Sequence, residues 1–477
     1  MPQQQPAPGL TIKQPRLHSI AVWEFTLACN LKCRHCGSTA GKARKDELST
    51  AQALDVVKQL KDLGIREVNL IGGEATLRPD WAVVGQAISE AGMHLAFQSG
   101  GLHINSDIIQ QMVDINTTTL GVSIDGVGEV HDDQRGIPGS YERALNTLEL
   151  ASASAIPTLA CTTQLNRRSY TSLLQLLERV AQPRVKSWQI AQTLPMGIGT
   201  AATDLHLQPA DFAVIHELAA IFGVEAWRRG IFAIAANPLG YFGPYERLIR
   251  SGPHNMNRTY AGCPAARGAI GIEADGTIKG CPSLPTDPYA LGKSTGDGFE
   301  QLQQVWNDPQ SSYQWRVNGF CSTCPFQSIC WSGCGWSTTT TMGSKGDNPY
   351  CMFRSIVHTA QGQHERLELR HQGTLEPFAY GQHALDVHQG LDPGVIKLDQ
   401  VKVPESMKAT AEAFAAKRQH VLLSSKEVFE SFNGSTTAAN KETSLAAFAV
   451  MERLSLPIKH LMSLGLLGGQ SRDGTPS

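Results

Sequence analysis

The sequence predicts an α/β fold with a parallel sheet, followed by a cysteine-rich segment and a mostly helical C-terminal part. Between residues 20 and 225, short β-like runs alternate with amphipathic helical patterns. Such alternation implies parallel strands joined by right-handed crossovers, in a doubly wound sheet or in a partial barrel. In either arrangement ligands bind at the C-terminal ends of the strands, so the residues that follow each strand are the first candidates for a site.

Six strands are predicted from short apolar runs that end in turn-forming residues. In chain order these runs are AVWEFTLA, EVNLIGG, HLAFQSGG, TLGVSIDG, TLACTTQ and KSWQIAQ. The first helix is indicated by an apolar repeat at helical spacing that stops at Gly64. The members of that repeat are Ala53, Val56, Leu60 and Leu63. The helices that follow are predicted near residues 79–92, 105–114, 141–155 and 169–180.

Four other segments differ in composition from this α/β region. Residues 1–19 are rich in proline and glutamine and lack the apolar core of a signal peptide, so we expect a flexible lead. Residues 226–262 are turn-rich and are interpreted as a bridge. Residues 263–355 hold seven cysteines among many Gly, Pro, Ser and Thr residues, a composition that usually needs metal to fold. Residues 356–477 are predicted to be mostly helical.

The charge balance and the cysteine count restrict the function classes. With 41 Lys and Arg against 43 Asp and Glu, the formal net charge is −2, so no basic field attracts nucleic acid or an anionic membrane. The sequence has no run of about 18 apolar residues to cross a bilayer. We therefore expect a cytoplasmic protein with reduced thiols and with neither nucleic acid nor membrane as a partner. Eleven cysteines is an odd number for a disulfide framework, and clustered thiols indicate metal instead.

The first cysteine cluster follows the first predicted strand. Cys29, Cys33 and Cys36 lie within eight residues in the stretch LACNLKCRHCGS. Structural zinc normally takes four ligands, which usually arrive as two separate pairs. Three thiolates suit a 4Fe–4S cluster in which each holds one iron and the fourth iron stays open to a substrate or cofactor. An incomplete zinc knuckle is the alternative.

This C-x3-C-x2-C loop resembles the signature of the radical S-adenosylmethionine (SAM) superfamily, which folds as a partial (β/α)6 barrel of TIM type. The resemblance implies that the open iron is chelated by the amino and carboxylate groups of SAM, whose reductive cleavage gives a 5′-deoxyadenosyl radical. Gly72, Gly73 and Glu74 match the family's GGE motif at the second strand end, which contacts the methionine amino group. A glycine pair allows close backbone approach, and a carboxylate or carbonyl can receive an ammonium group.

Residues near the third and fourth strand ends extend the predicted cofactor site. The stretch GVSIDG…HDDQRG resembles the peptide-modifying branch of the superfamily, which implies roles for Ser123, Asp125 and Arg135 near the cofactor. The alternative is that Asp125 is a turn residue and Arg135 a surface ion pair. Ser99 lies in QSGG, where the family more often has Thr-Asn-Gly, so its ribose contact is a weaker expectation. Cys161 stands alone in a strand and is interpreted as a core thiol.

The downstream cysteines resemble a SPASM domain, a C-terminal extension of radical SAM enzymes with two auxiliary 4Fe–4S clusters. The resemblance assigns two ligand sets. The distal set is Cys321, Cys324, Cys330 and Cys351, and the proximal set is Cys263, Cys281 and Cys334 with an unassigned fourth ligand. One or two structural zinc ribbons are the alternative. The auxiliary clusters would accept the electron removed from a substrate radical, and an external donor such as a flavodoxin or ferredoxin would supply the first electron.

The predicted function is a radical SAM enzyme that modifies a ribosomally made peptide or protein, by cross-linking through a carbon–carbon or thioether bond. Formylglycine formation is disfavoured because Pro282 replaces the aspartate that sulfatase-maturing members use as a base. Epimerisation and oxidative decarboxylation stay open, as do a tetrapyrrole substrate and a non-enzymatic zinc-stabilised binding protein. The sequence assigns no catalytic residue. Glu273 and Asp275 are interpreted as turn residues, and a role for either as a base is the alternative.

The C-terminal apolar series has two interpretations. Its members are Val450, Leu454, Ile458, Leu461 and Leu464, interrupted by Pro457. Amphipathic helices that cap the barrel are favoured, and a leader-peptide recognition element is the alternative.

Overall fold

The computed structural model describes residues 20–181, 184–252, 258–307, 317–343 and 346–418. Its centre is a parallel sheet of seven strands in chain order. These are β1 (Ile20–Thr26), β2 (Glu67–Gly72), β3 (His94–Ser99), β4 (Thr119–Ser123), β5 (Thr158–Leu165), β6 (Val185–Gln192) and β7 (Phe232–Ala235). Each strand pairs with the next, whereas strand order reverses in a doubly wound sheet. The sheet is therefore singly wound and open, as in a partial barrel, and the predicted α/β class is confirmed.

Helices connect these strands and cover the outer face of the sheet. They are α1 (Thr50–Asp62), α2 (Trp81–Glu90), α3 (Ser106–Asp114), α4 (Glu129–Arg135), α5 (Ser140–Ala153), α6 (Leu173–Val180) and α7 (Phe212–Arg228). Ser49 begins α1 in a capping box with Gln52, which satisfies amide groups that have no partner within the helix. The predicted apolar repeat of α1 is buried, with Ala53, Val56 and Leu60 at 1% exposure or less.

Strand alternation decides which side chains face the helices and which face the interior of the barrel. On β1, Trp23 and Phe25 are fully buried in the main apolar core. The alternate residues Ile20, Val22 and Glu24 line an interior cavity. Glu24 is therefore placed inside the barrel by the same period of two that buries its aromatic neighbours.

The segment 226–262, interpreted as a bridge, contributes structure to the barrel. It contains β7, which pairs in parallel with β6, and the short helix α8 (Glu246–Arg250). β7 has only four residues, too few to give a periodic apolar signal among the surrounding turn residues. The outer core here includes a T-shaped contact between Trp188 of β6 and Phe222 of α7, with ring centroids 5.1 Å apart.

The cysteine-rich segment is joined to the barrel through the sheet. Its elements are β8 (Ala269–Ile272), β9 (Thr277–Lys279), α9 (Thr286–Tyr289), β10 (Ala290–Lys293), α10 (Gly298–Asn307), α11 (Gln327–Cys330), α12 (Gly335–Met342) and α13 (Met352–Ala360). β8 pairs in parallel with β1, on the side of β1 away from β2. β8 and β9 form a hairpin at Asp275-Gly276, where the glycine has φ +83°. Edge pairing thus extends the sheet to ten strands.

The described part of the C-terminal extension combines a hairpin with helical turns. β11 (Gln363–His371) and β12 (Gln382–Gln389) pair antiparallel, and residues 408–418 are helical. The hairpin was not predicted because its apolar alternation is short, with only Leu367 and Leu369 in β11 and Leu385 and Val387 in β12 among mostly polar residues. Residues 1–19, the expected flexible lead, and 419–477, which contain the apolar series with two interpretations, lie outside the described residues. Across the described ranges, no helix is long and apolar enough to cross a membrane.

Candidate active site

The interior of the barrel encloses a cavity of about 550 Å³. Inward-facing residues of β1 to β6 and of β8 form its wall. The three cysteines of the first cluster line the cavity together with Gly72, Gly73, Ser99, Ser123 and Arg135. The structure therefore brings most of the predicted cofactor residues to one space at the strand ends. Glu74 and Asp125 lie outside this lining.

The cysteine loop runs from β1 towards α1 and holds its sulfur atoms with backbone amides. The Leu31 amide donates to Cys29 Sγ at 3.4 Å, and the Ala40 amide donates to Cys36 Sγ at 3.3 Å. Amide donors aimed at sulfur are a usual means of tuning a thiolate-bound cluster. The last turn of α4 also clamps the loop, because the Lys32 amide donates to the Arg135 carbonyl at 3.0 Å.

These thiols fit the cluster that the sequence predicts. Burial raises the pKa of Cys29 to about 12 and that of Cys33 to about 11, so the free side chains are neutral and a bound cation is needed to favour thiolates. Within the described ranges, no three His, Cys, Asp or Glu side chains converge on a single metal ion. A 4Fe–4S cluster needs no such point of convergence, since each thiolate holds a separate iron.

Gly72 and Gly73 allow the end of β2 to pack against the cysteine loop. Gly72 has φ +138°, and a Cβ at Gly73 would lie 2.2 Å from the Ala28 carbonyl oxygen and 2.8 Å from Cys29 Cβ. The Gly73 amide donates to the Thr26 carbonyl at 2.8 Å. Any side chain at Gly73 would therefore displace the backbone that carries the first cysteine.

Glu74 serves the packing of the strand ends. Its side chain is 1% exposed, and its Oε2 accepts hydrogen bonds from Ser99 Oγ at 2.7 Å and from the Gly100 amide at 3.2 Å. Its Oε1 accepts one from Thr76 Oγ1 at 2.9 Å. The carboxylate thus ties β2 to β3, and the glycine pair is the part of the GGE motif that faces the cavity.

Asp125 and Arg135 form a buried ion pair beside the cysteine loop. Asp125 is fully buried, and its Oδ2 lies 2.7 Å from Arg135 Nε and 3.4 Å from His35 Nε2. Burial raises the pKa of Asp125, but Arg135 and His35 outweigh burial and hold that pKa below its usual range. Arg135 Nη1 also donates to Cys33 Sγ at 3.8 Å. The pair therefore links β4 and α4 to a predicted cluster ligand, and the alternative of a surface ion pair for Arg135 does not hold, since the side chain is buried.

The floor of the cavity carries amide and hydroxyl side chains from successive strands. Gln98 Nε2 donates to Ser123 Oγ at 2.8 Å, and Thr162 Oγ1 donates to Gln98 Oε1 at 3.3 Å. The amide and hydroxyl residues that the strands contribute to the lining are Asn69, Gln98, Ser99, Ser123, Thr162, Gln164 and Gln189. These groups offer both donors and acceptors without net charge.

The downstream thiols fall into two neighbouring groups. Burial raises the pKa of Cys334 to about 12, with Cys263 and Cys281 adding to the effect. The pKa of Cys330 is raised by burial and then by the other members of the distal set, Cys351, Cys321 and Cys324. This grouping follows the partition that the SPASM resemblance implies. Cys161 is 1% exposed in the barrel core, as predicted.

Tyr241 lies between these two groups of thiols. Its hydroxyl accepts a hydrogen bond from the Cys334 amide at 2.7 Å, and its carbonyl accepts one from Cys351 Sγ at 3.7 Å. Both thiol groups therefore contact Tyr241, which belongs to a second apolar core separate from that of the barrel.

The sequence reasoning named Glu273 as a possible base but interpreted it as a turn residue, and it missed the group of charged side chains that Glu273 joins at the cavity wall. Glu273 is a turn residue by its backbone, since the Gly276 amide donates to its carbonyl at 2.9 Å. Its side chain, however, is 1% exposed and pairs with Lys279 Nζ at 2.8 Å. Glu24 of β1 lines the same wall. The signal that could have located Glu24 is the alternation of side chains along β1. It places Glu24 on the face of the strand opposite to the face that carries Trp23 and Phe25.

Comparison with known proteins agrees with this geometry. The family model described as the Radical SAM superfamily matches residues 23–179. Mycofactocin maturase MftC from Mycobacterium tuberculosis is 28% identical over 343 residues, which cover 69% of this chain and 82% of that relative. The AdoMet-dependent heme synthase of Methanosarcina barkeri is 24% identical over 360 residues, covering 71% of this chain and 97% of that relative.

A solved structure shares the fold. Streptococcus suis SuiB, bound to precursor peptide SuiA, superposes with a TM-score of 0.54 at 16% identity, covering 70% of this chain and 75% of SuiB. The likeness extends beyond the matched domain, which ends at residue 179, because it covers 70% of the chain. The chain therefore carries a domain of the radical SAM superfamily, at residues 23–179.

Proposed function

We propose that this chain is a radical SAM maturase that modifies a ribosomally made peptide or protein, most simply by a carbon–carbon or thioether cross-link. The observation that carries the proposal is the cavity, in which the cysteine loop opens onto neutral amide and hydroxyl side chains. Peptide groups present one donor and one acceptor each, and such a surface can pair with both. Mycofactocin maturase and SuiB with its precursor peptide are the comparisons that support this substrate class.

The residues of the cavity have distinct roles in the proposed reaction. Cys29, Cys33 and Cys36 would hold the 4Fe–4S cluster, which with bound SAM supplies the 5′-deoxyadenosyl radical. Gly72 and Gly73 leave room for the cofactor beside the loop, and Ser99 and Ser123 offer hydroxyl groups at neighbouring strand ends. Arg135 keeps a positive charge against Cys33 while Asp125 holds its guanidinium in place.

The downstream thiols would serve the oxidation that follows hydrogen abstraction. Auxiliary clusters held by the proximal and distal cysteine sets would supply a one-electron acceptor close to the cavity, since Pro282 and Ser283 beside Cys281 line its wall. A flavodoxin or ferredoxin is the proposed external donor. Because all these clusters need reduced thiols, we propose the cytoplasm as the compartment.

A tetrapyrrole side chain is the second candidate substrate, favoured by the similarity to AdoMet-dependent heme synthase. Such substrates carry several carboxylates and need cationic partners. The cations that line the cavity, Arg135 and Lys279, already pair with Asp125 and Glu273 at 2.7 and 2.8 Å. Both of these cations are thus already paired, whereas the neutral amide and hydroxyl side chains of the cavity offer donors and acceptors to a peptide.

The proposal is tested with the anaerobically reconstituted protein, SAM, dithionite and peptides from short reading frames beside the gene. We expect 5′-deoxyadenosine release and a peptide that has lost two hydrogens. Iron analysis should give about twelve irons per chain if three clusters form. Replacing Cys29, Cys33 and Cys36 by alanine should abolish 5′-deoxyadenosine release. Decarboxylation of iron-coproporphyrin III with no change in any peptide would favour the second candidate, and stoichiometric zinc without iron would contradict both.

A further inference from the structure

One wall of the cavity, formed by β1, β8, β9 and the loop before α1, carries buried charged side chains. We call this set the charged wall, and it consists of Glu24, Arg44, Glu273 and Lys279. Glu24, Glu273 and Lys279 are 4%, 1% and 0% exposed, and all three line the cavity that the cysteine loop also lines. Arg44 Nη2 bridges the two carboxylates, at 3.0 Å from Glu24 and 3.1 Å from Glu273. Charged groups this buried are retained at a cost in desolvation, and they cluster at functional sites.

The two carboxylates of the charged wall differ in whether one oxygen is left without a hydrogen-bond donor among the described residues. Both oxygens of Glu273 are occupied, Oε1 by Lys279 Nζ and the Thr286 hydroxyl, and Oε2 by Arg44. Glu24 is anchored through Oε1 alone, which accepts from Arg44 at 3.0 Å. No described residue donates a hydrogen bond to Glu24 Oε2. Glu24 therefore presents an acceptor oxygen to a molecule in the cavity, and Glu273 does not.

The surroundings of Glu24 suit the uptake of a proton. Arg44, Glu273 and Lys279 are the charged groups that act on it, and the one charged residue of neighbouring β2, Glu67, lies at the far end of that strand. Burial raises the pKa of Glu24 to about 8, against the opposing effect of Arg44. A base with a pKa near the working pH is both available and able to retain the proton that it receives.

The proposed cross-link needs such a base. Forming the new bond breaks two bonds to hydrogen in the substrate, a C–H bond and a second C–H or S–H bond. One hydrogen leaves as an atom and ends on the 5′ carbon of 5′-deoxyadenosine. The other leaves as a proton, and one electron passes to a one-electron acceptor of the iron–sulfur class. We propose that Glu24 Oε2 accepts this proton, an inference that rests on the proposed function and names a catalytic residue for it.

The first test compares product formation with cofactor cleavage. In the reconstituted holoenzyme with SAM, dithionite and the neighbouring-frame peptide, Glu24→Gln should lower cross-linked product by about 100-fold or more. It should retain 5′-deoxyadenosine release, because the glutamine oxygen still accepts from Arg44. Glu24→Asp should restore part of the product. Asp275→Asn is the matched control, since it removes a carboxylate 3.8 Å from Arg44 that does not line the cavity. Wild-type product yield in Glu24→Gln would overturn the proposal.

The second test needs no substrate. Dicyclohexylcarbodiimide reacts with protonated carboxyl groups in apolar surroundings, and peptide mapping by mass spectrometry locates the adduct. We expect an adduct on Glu24 that weakens as the pH rises through about 8. An unlabelled Glu24 at neutral pH would overturn the proposal even if peptide is modified. If Glu24 is labelled but the wild type changes no peptide while releasing 5′-deoxyadenosine, the peptide assignment fails and the proton-accepting group stands.

Discussion

The ion pair between Asp125 and Arg135 gives a sharp test of how the barrel holds the cysteine loop. Replacing Arg135 by methionine removes the guanidinium 2.7 Å from Asp125 Oδ2 and 3.8 Å from Cys33 Sγ. Among the described residues, the fully buried carboxylate then keeps the Gln164 amide at 2.8 Å and the His35 ring at 3.4 Å. Breaking a buried pair from one side typically costs about 3–5 kcal/mol, and we expect a loss of unfolding free energy in that range.

The loss should depend on pH in a defined direction. In the intact protein the pKa of Asp125 is held below its usual range, so its stabilisation is present above the unfolded pKa and is lost as the pH falls through the folded pKa. Without Arg135, burial is no longer outweighed and the pKa of Asp125 should rise. Acid should then protonate Asp125 in the folded variant at a pH where the intact protein keeps it ionised, and the deficit of Arg135→Met should shrink as the pH falls.

The assay is urea unfolding of the anaerobic apoprotein, followed by tryptophan fluorescence, since Trp23 and Trp188 are fully buried in the barrel. The double variant Asp125→Asn/Arg135→Met should lose less stability than the sum of the single variants, because no charge is left unpaired. A loss below about 1 kcal/mol, a deficit that does not change with pH, or additive single effects would refute the reasoning.

Two further predictions concern the cavity walls. Gly73→Ala should prevent cluster assembly, because the added Cβ would lie 2.2 Å from the Ala28 carbonyl oxygen. The loss would be measured as missing iron and missing absorbance near 400 nm. The control variant Gly41→Ala, which has nothing within 4 Å of the added Cβ, should assemble its cluster normally. Equal iron contents would contradict the packing argument. Lys279→Met should lower the free energy of unfolding by about 3–5 kcal/mol, because the buried carboxylate of Glu273 loses its lysine partner. Lys293 is 46% exposed, so Lys293→Met should lower it by less than about 1 kcal/mol. Similar losses in both lysine variants would show that burial does not set the cost.

The sequence was sufficient to locate the cysteine loop because that chemistry is local. The spacing of three thiols within eight residues, followed by a glycine pair at the next strand end, is enough to indicate the site. The singly wound order of β1 to β7 was left open by the alternation of strands and helices, because that alternation fits both windings. The structure, or the resemblance to the radical SAM superfamily, was needed to decide between the two windings.

Long-range pairing explains what the sequence reasoning missed. Glu24 and Glu273 are 249 positions apart and meet only because β8 pairs in parallel with β1. Asp125 and Arg135 show the converse case, since their positions were predicted but their mutual pairing was not. Pairing depends on which way α4 turns after β4, and a pattern of residue types does not specify that direction.

The central claim is that the radical made at the cysteine loop attacks a peptide in the cavity. The most direct measurement is hydrogen transfer from a deuterated neighbouring-frame peptide into 5′-deoxyadenosine, read by mass spectrometry after anaerobic turnover. The account predicts 5′-deoxyadenosine that carries one deuterium, formed alongside peptide that has lost two hydrogen isotopes. Release of 5′-deoxyadenosine without deuterium, at the same rate with and without peptide, would contradict it.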